Sequence, residues 1–441
     1  MRRVTSDARR GAVSISTPKA APVELAYRMW GLAALFYLFD FFQRVAPASL
    51  AFDLSREIAP TALALGTLSS AYFLTYAGCQ LPAGLLVDRL GARRVLTMAA
   101  LGGATGVAVF ASASAMEQAL MGRLILGATG AVAWIALLKL AAEWFSPQKF
   151  AGMTGLSLAV GAVGAVLAGF PLSTLAQSYG WREVLMGSGA CAAGLAMLFW
   201  WQIRDRPETP MATQASDVRP RVPFFHLPWR SLMTLGLGQM GVTGSMAALA
   251  WLWSVPYLKT GFSLSASTAT LLSSCMMVFF AVGGVVFGRW SDRIQERRRP
   301  LMLGTTGVIV MLALLSTGVL REQLMITTIC LWLMGLCAGS MVLSFAAAKD
   351  LAKGQHTGAV VAFMNLCVMT GSIGLPPLFG LVLDAQWQGS VIDGVRRYPT
   401  EAYELAFQGL ALWVSLTLFF QWKWSDALID ARKLAKTTPQ R

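Results

Sequence analysis

Charge is scarce in this chain: Asp, Glu, Lys and Arg make up 13% of 441 residues, and only 22 are acidic. Soluble domains carry about 25% charged residues, so an ordinary water-soluble protein is excluded. Histidine is nearly missing, and His226 and His356 both fall in polar linkers. That argues against a His-based metal site or proton relay. The six cysteines (Cys79, Cys191, Cys275, Cys330, Cys337, Cys367) sit in apolar runs without metal-ligand spacing and read as packing residues. The chain has no H-E-x-x-H motif, no nucleophile–base arrangement and no phosphate-cradling glycine loop ending in Lys-Ser/Thr. Neither an enzyme nor a cofactor or metal is expected. The first 25 residues are polar and basic without an apolar centre, so no cleavable signal peptide is expected.

What is abundant is hydrophobicity: 56% of residues, with a mean hydropathy of +0.57. This predicts an all-α, polytopic membrane protein. Twelve apolar runs, each long enough to cross about 30 Å of hydrocarbon, fall at about 27–50, 66–87, 95–114, 117–142, 150–172, 183–203, 231–256, 267–288, 300–320, 324–346, 358–383 and 403–423. A long polar linker divides them. The expected organisation is a tail (1–26), a six-helix bundle (27–203), a linker (204–230), a second bundle (231–423) and a second tail (424–441). Of the 36 Lys and Arg, 27 fall on the side that holds both termini; six (Arg56, Arg182, Lys259, Arg321, Arg396, Arg397) fall opposite, and three (Arg44, Arg123, Lys139) within helices. The bias predicts cytoplasmic termini and accounts for the net charge of +14 without nucleic acid.

The stretch Gly84-Leu-Leu-Val-Asp88-Arg89-Leu-Gly91-Ala-Arg93-Arg94 separates the second and third runs, and Gly288-Arg-Trp-Ser-Asp292-Arg293 echoes it in the second half. In both, a Gly stands four residues before Asp-Arg. This resembles the signature loop between helices two and three of the major facilitator superfamily, and its counterpart between helices eight and nine. The resemblance extends over about residues 27–423 and implies two pseudo-symmetric six-helix bundles that rock about a central site. It also implies that Asp88, braced by Arg89 or Arg93, meets the start of segment eleven near Thr357 and Gly358. Asp292 would meet the start of segment five near Phe150 to Gly152. Arg123 followed by Gly127 and Gly130 resembles the superfamily's fourth-helix pattern. Segment five, with Gly161, Gly164 and a late Pro171, lacks the glycine pair of antiport-type members, so drug/proton antiport loses support. Outer-loop and segment-one wording resembles branches that include amino-acid permeases of intracellular proteobacteria.

Asp40 and Arg44 in segment one are one turn apart on one face, near mid-bilayer. Charges at that depth are costly unless they face a cavity or each other. They are expected to line the pathway, Arg44 holding an anionic group and Asp40 serving as the proton or cation site. Arg123 and Lys139 join them as pathway candidates, although Lys139 lies about 160° round the helix from Arg123 and four residues before Glu143. The second half offers uncharged groups instead: Gln239, Trp332 and Asn365. The gating set is Gly84, Asp88, Arg89, Gly91, Arg93, Gly288, Asp292 and Arg293. The outer loop from Trp387 to Tyr403 reads as a solvated cap, and Pro376-Pro377 as a kink.

The function expected is a monomeric secondary transporter in a bacterial inner membrane, moving a small charged or zwitterionic solute (amino-acid-like or an organic anion) by alternating access. Protons are the candidate coupling ion. The alternatives are a multidrug/proton exporter of the same fold, or a non-transporting membrane sensor or assembly protein.

Overall fold

Apolar runs of this length become helices because hydrocarbon offers no partner to an unpaired backbone N–H or C=O. The computed structural model describes residues 23–205, 227–352 and 357–437. Most of the expected N-terminal tail and central linker, with both histidines, lies outside the described residues.

In the first half, α1 (Val23–Ser49) leads through a short α2 (Ala51–Glu57) into α3 (Ala62–Ala111). α3 is two spans joined at a single non-helical residue, Gly91. α4 (Met116–Trp144) follows; α5 (Pro147–Leu167) and α6 (Phe170–Tyr179) are one span interrupted before Pro171; α7 (Trp181–Gln202) closes the half. In the second half, α8 (Trp229–Ala248) and α9 (Ser254–Phe262) form one span through a π-helical turn, Leu249–Trp253. α10 (Ala266–Ile294) and α11 (Arg298–Ser316) follow. α12 (Leu324–Ala338) and α13 (Val342–Leu351) form one span through a 3₁₀ turn, and α14 (Thr357–Ala385) and α15 (Thr400–Thr437) complete twelve crossings. α14 stays helical through Pro376-Pro377, and α15 carries helix to Thr437, where a tail was expected from 424.

Two seams flank the contact between the halves, α14 along α3 and α10 against α5 and α6, and between them α1 meets the π-helical turn that joins α8 to α9. We call the end that carries Val23, Gly91 and Asp292 the terminal face, and the end that carries α2 the far face. Small residues set the seam distance. A Cβ at Gly66 would come within 2.8 Å of the Pro376 carbonyl carbon and of Pro377 Cα, so backbones touch near the far face.

Two loops differ from expectation. The charged stretch 84–94 is helical except at Gly91, whose φ of 81° and ψ of 161° belong to glycine. The Asp205 carboxylate fills the space beside it and accepts the Arg93 amide at 3.0 Å, capping the second limb of α3. The far-face loop, expected to be only a solvated cap, is a β-hairpin. β1 (Val391–Ile392) pairs antiparallel with β2 (Val395–Arg396), and Asp393-Gly394, both at positive φ, make the two-residue turn.

Gly91→Ala should destabilise the protein by about 1–3 kcal/mol through backbone strain, since the new Cβ would also meet Asp205. The midpoint of thermal unfolding in detergent checks this. A midpoint equal to wild type would show that the turn tolerates any residue.

Candidate functional site

α1 brings two charges into the membrane interior one helical turn apart. Asp40 is 2% exposed and Arg44 5%, and Arg44 Nη2 donates to Asp40 Oδ2 at 2.9 Å. Tyr72 of α3 donates its hydroxyl to Asp40 Oδ1 and lies 3.5 Å from Arg44 Nη2. Gly130 of α4 makes the room: a Cβ there would strike both Asp40 Oδ1 and the Tyr72 hydroxyl. Asp40 is thus clasped among α1, α3 and α4.

Arg44 reaches further, to where the halves meet. Its guanidinium carbon lies 4.4 Å from the ring centre of Phe41, 4.7 Å from Tyr76 and 6.0 Å from both Phe73 and Trp251. Trp251 comes from the second half, where the π-helical turn presents it, and stacks on Phe73 at 5.0 Å. Such turns are rare and concentrate at functional positions. The Arg44 Nε and the Trp251 indole N–H are buried with no hydrogen-bond partner among the described residues. Stripping two ions of water costs several kcal/mol each, and their attraction only about offsets that. Stability alone therefore does not explain the pair.

The other expected pathway residues separate. Arg123 is fully buried, but Nη1 donates to the Gln43 carbonyl at 2.7 Å, Nε to Leu68 at 3.3 Å and Nη2 to Ser69 at 3.5 Å. It joins α4 to α1 and α3, with its guanidinium carbon 5.1 Å from the Tyr72 ring centre. Each of its three nitrogens has a carbonyl partner. Lys139 corrects two expectations. It leaves the pathway for the terminal face, where Nζ donates to the Val87 carbonyl at 2.8 Å and pairs with Asp88 at 3.2 Å, Glu143 being 4.0 Å away. Lys139, and not Arg89 or Arg93, is therefore the described partner of Asp88. Arg93 instead covers the Trp200 ring at 4.6 Å, and Arg89 is exposed.

In the second half, Gln239 is fully buried and both its amide atoms lack partners among the described residues. Trp332 is committed: its indole donates to the Leu272 carbonyl at 2.9 Å. Asn365 crosses the seam and donates to Gln80 Oε1 at 2.6 Å.

At the terminal face, Asp88 is 76% exposed. The side chains of Thr357 and Gly358, its expected partners, lie outside the described residues. Asp292 pairs within its own half, with Arg297 at 2.6 Å, which also reaches Asp350 at 3.5 Å. The start of α5, its expected partner, includes residues whose side chains lie outside the described residues. Arg293 is exposed, and Gly84 and Gly288 have open space where a Cβ would stand. Residues that the sequence reading did not single out, Tyr72, Tyr76 and Trp251, build the walls. The only advance signal was the four-residue spacing of Tyr72 and Tyr76, which puts both on the face of α3 turned to Arg44.

Arg123→Lys loses the planar fork that reaches three carbonyls. It should cost about 1–3 kcal/mol of stability and leave solute affinity of the folded fraction unchanged. Thermal unfolding and uptake KM, measured together, check the split, and a changed KM would put Arg123 back in the pathway.

Comparisons with known proteins agree with this architecture. The chain is 22% identical over 302 residues to a probable sulfoacetate transporter of Cupriavidus necator, covering 65% of this chain and 70% of that protein. It is 26% identical over 372 residues to the inner membrane transport protein RhmT of Escherichia coli, covering 78% and 84%. The crystal structure of a bacterial homologue of the human lysosomal transporter Spinster, inward-facing and unoccupied, superposes with a TM-score of 0.76 at 15% identity, covering 93% of this chain and 99% of that one. A profile described as the Major Facilitator Superfamily matches residues 29–374, and the chain belongs to that superfamily.

Proposed function

We propose that the chain is a secondary transporter of small organic anions bearing a carboxylate or similar oxyanion. Arg44 anchors the anion and Asp40 carries the coupling proton. The observation behind this is the contrast between two buried arginines. Arg123 has its donors committed to three carbonyls, whereas Arg44 has a carboxylate partner, an unpartnered Nε and aromatic walls from both halves. Relatives named for sulfoacetate, L-galactonate, tartrate and gallate support the solute class, since all four solutes are anions at neutral pH. The match to the L-galactonate relative covers 55% of that protein.

Charge balance supplies the mechanism. With Asp40 ionised, the pair is neutral and the empty site can cross between states. When Asp40 takes a proton, Arg44 is left as an uncompensated cation. An anion then binds and restores neutrality. Proton and anion therefore favour each other's binding, which is coupling in the thermodynamic sense. In this reading Gln239, whose buried amide has no partner among the described residues, reads the neutral part of the solute, while Asn365 ties the second half to Gln80. On this reading the terminal face is cytoplasmic, which the charge bias of the loops supports, the membrane is a bacterial inner membrane and the protein works as a monomer.

Uptake of sulfoacetate, tartrate and gallate into proteoliposomes, with and without an imposed pH gradient, tests the reading. Arg44→Ala removes a charge-assisted anchor of about 1.5–3 kcal/mol, so affinity should fall at least about tenfold; unchanged affinity would make the charge structural. Asp40→Asn should keep solute exchange but lose gradient-driven accumulation. Accumulation that persists in Asp40→Asn would place the proton elsewhere. Transport of cationic drugs instead of anions would overturn the solute class.

A further inference from the structure

The far face of the α3–α14 seam is joined by a carboxylate. Asp384, in the last turn of α14, accepts the Leu63 amide at 2.8 Å and the Ala62 amide at 3.1 Å. Those are first-turn N–H groups of α3, which have no partner within their own helix. Asp384 lies 322 and 321 residues away in sequence from them and belongs to the other half. The helix dipole adds to the attraction.

The chain that follows Asp384 turns back to complete the contact. The Tyr398 hydroxyl donates to Asp384 Oδ1 at 2.6 Å and accepts the Ala62 amide at 2.9 Å. Arg396 on β2 lies 3.6 Å from Asp384 and stacks over Trp387 at 4.1 Å. Burial, with Asp384 beside it, pushes the Tyr398 phenol well above the ordinary tyrosine range, so it remains a donor. The hairpin tip at Gly394 rests against the Arg56 side chain of α2, in the first half. Among the described residues, the side-chain hydrogen bond at the corresponding place of the other seam is neutral, Gln177 of α6 donating to Ser267 of α10 at 3.2 Å, and between the seams Lys259 of α9 lies over the Phe52 ring of α2 at 3.6 Å.

We propose that Asp384, held by Tyr398 and Arg396, is the far-face gate of this protein: a C-terminal carboxylate of α14 that caps α3 across the halves and must let go for the far face to open. The two seams are unequal, and the α3–α14 seam governs closure. This rests on the transporter reading only for its purpose. The contact itself is read without any solute.

The test measures opening directly. Leu65 is 3% exposed and lines the small crevice beside Tyr398 and Trp253, so Leu65→Cys should react slowly when the gate is shut. The variant is made in a chain whose six native cysteines are replaced, and labelled from the far side in proteoliposomes with a membrane-impermeant maleimide. Asp384→Asn should speed labelling about tenfold, which corresponds to about 1.4 kcal/mol of lost closure. Asp384→Glu should restore part of the protection, and Gln177→Ala should change it less than about twofold. If Asp384→Asn fails to fold, Tyr398→Phe carries the test with a smaller rise. Unchanged labelling in the Asp384→Asn or Tyr398→Phe protein, or an equal rise in Gln177→Ala, would overturn the proposal. Because no solute is present, this outcome is independent of the anion assignment.

Discussion

An ion pair inside hydrocarbon is the constraint on which the first half depends. Asp40 and Arg44 can remain charged there only if every approach to lipid is covered. α3 supplies Tyr72, α4 supplies a glycine where any side chain would collide, and Arg123 ties α1, α3 and α4 around the pair through their own carbonyls. The cost of the arrangement is fixed by Arg44, which cannot shed its proton. Asp40 can. In the proposed mechanism the pair therefore has one member of constant charge and one that switches.

The halves share a topology but divide the chemistry. The first carries the intramembrane charges. The second contributes Trp251, the unpartnered Gln239 amide and the Asn365 bond to Gln80. Symmetry survives in the backbone, in two seams and two Asp-Arg loops, and is lost in the side chains. At the terminal face Asp88 and Asp292 both pair within their own halves, whereas at the far face Asp384 crosses. Among the described residues, the carboxylate contact that crosses between the halves lies at the far face.

Much of this was legible before any coordinates. Twelve crossings follow from the length of apolar runs, and the repeated Gly-x-x-x-Asp-Arg marks the duplication. Asp40 and Arg44 declare themselves because charge is so rare in their surroundings. Tertiary partners were not legible. Arg123 and Arg44 look alike in sequence, and only the carbonyls around Arg123 show that it is matched. Lys139 was placed correctly on a different face from Arg123, yet its partner Asp88 is 51 residues away. The π-helical turn adds a residue to a helix without any compositional mark. The hairpin is a different case: Asp393-Gly394 between Ile392 and Val395 is a strong turn signal, legible in the sequence itself.

Asp205 lies in the stretch assigned to the connection between halves, yet its carboxylate caps the second limb of α3 at Arg93, 112 residues earlier. By its contacts it belongs to the first half. Anyone dividing the gene to express the halves as two polypeptides has a boundary set by chemistry rather than by hydropathy. A cut ahead of Asp205 would leave the first fragment with an uncapped helix beside Gly91, while a cut after it would let that fragment keep its cap.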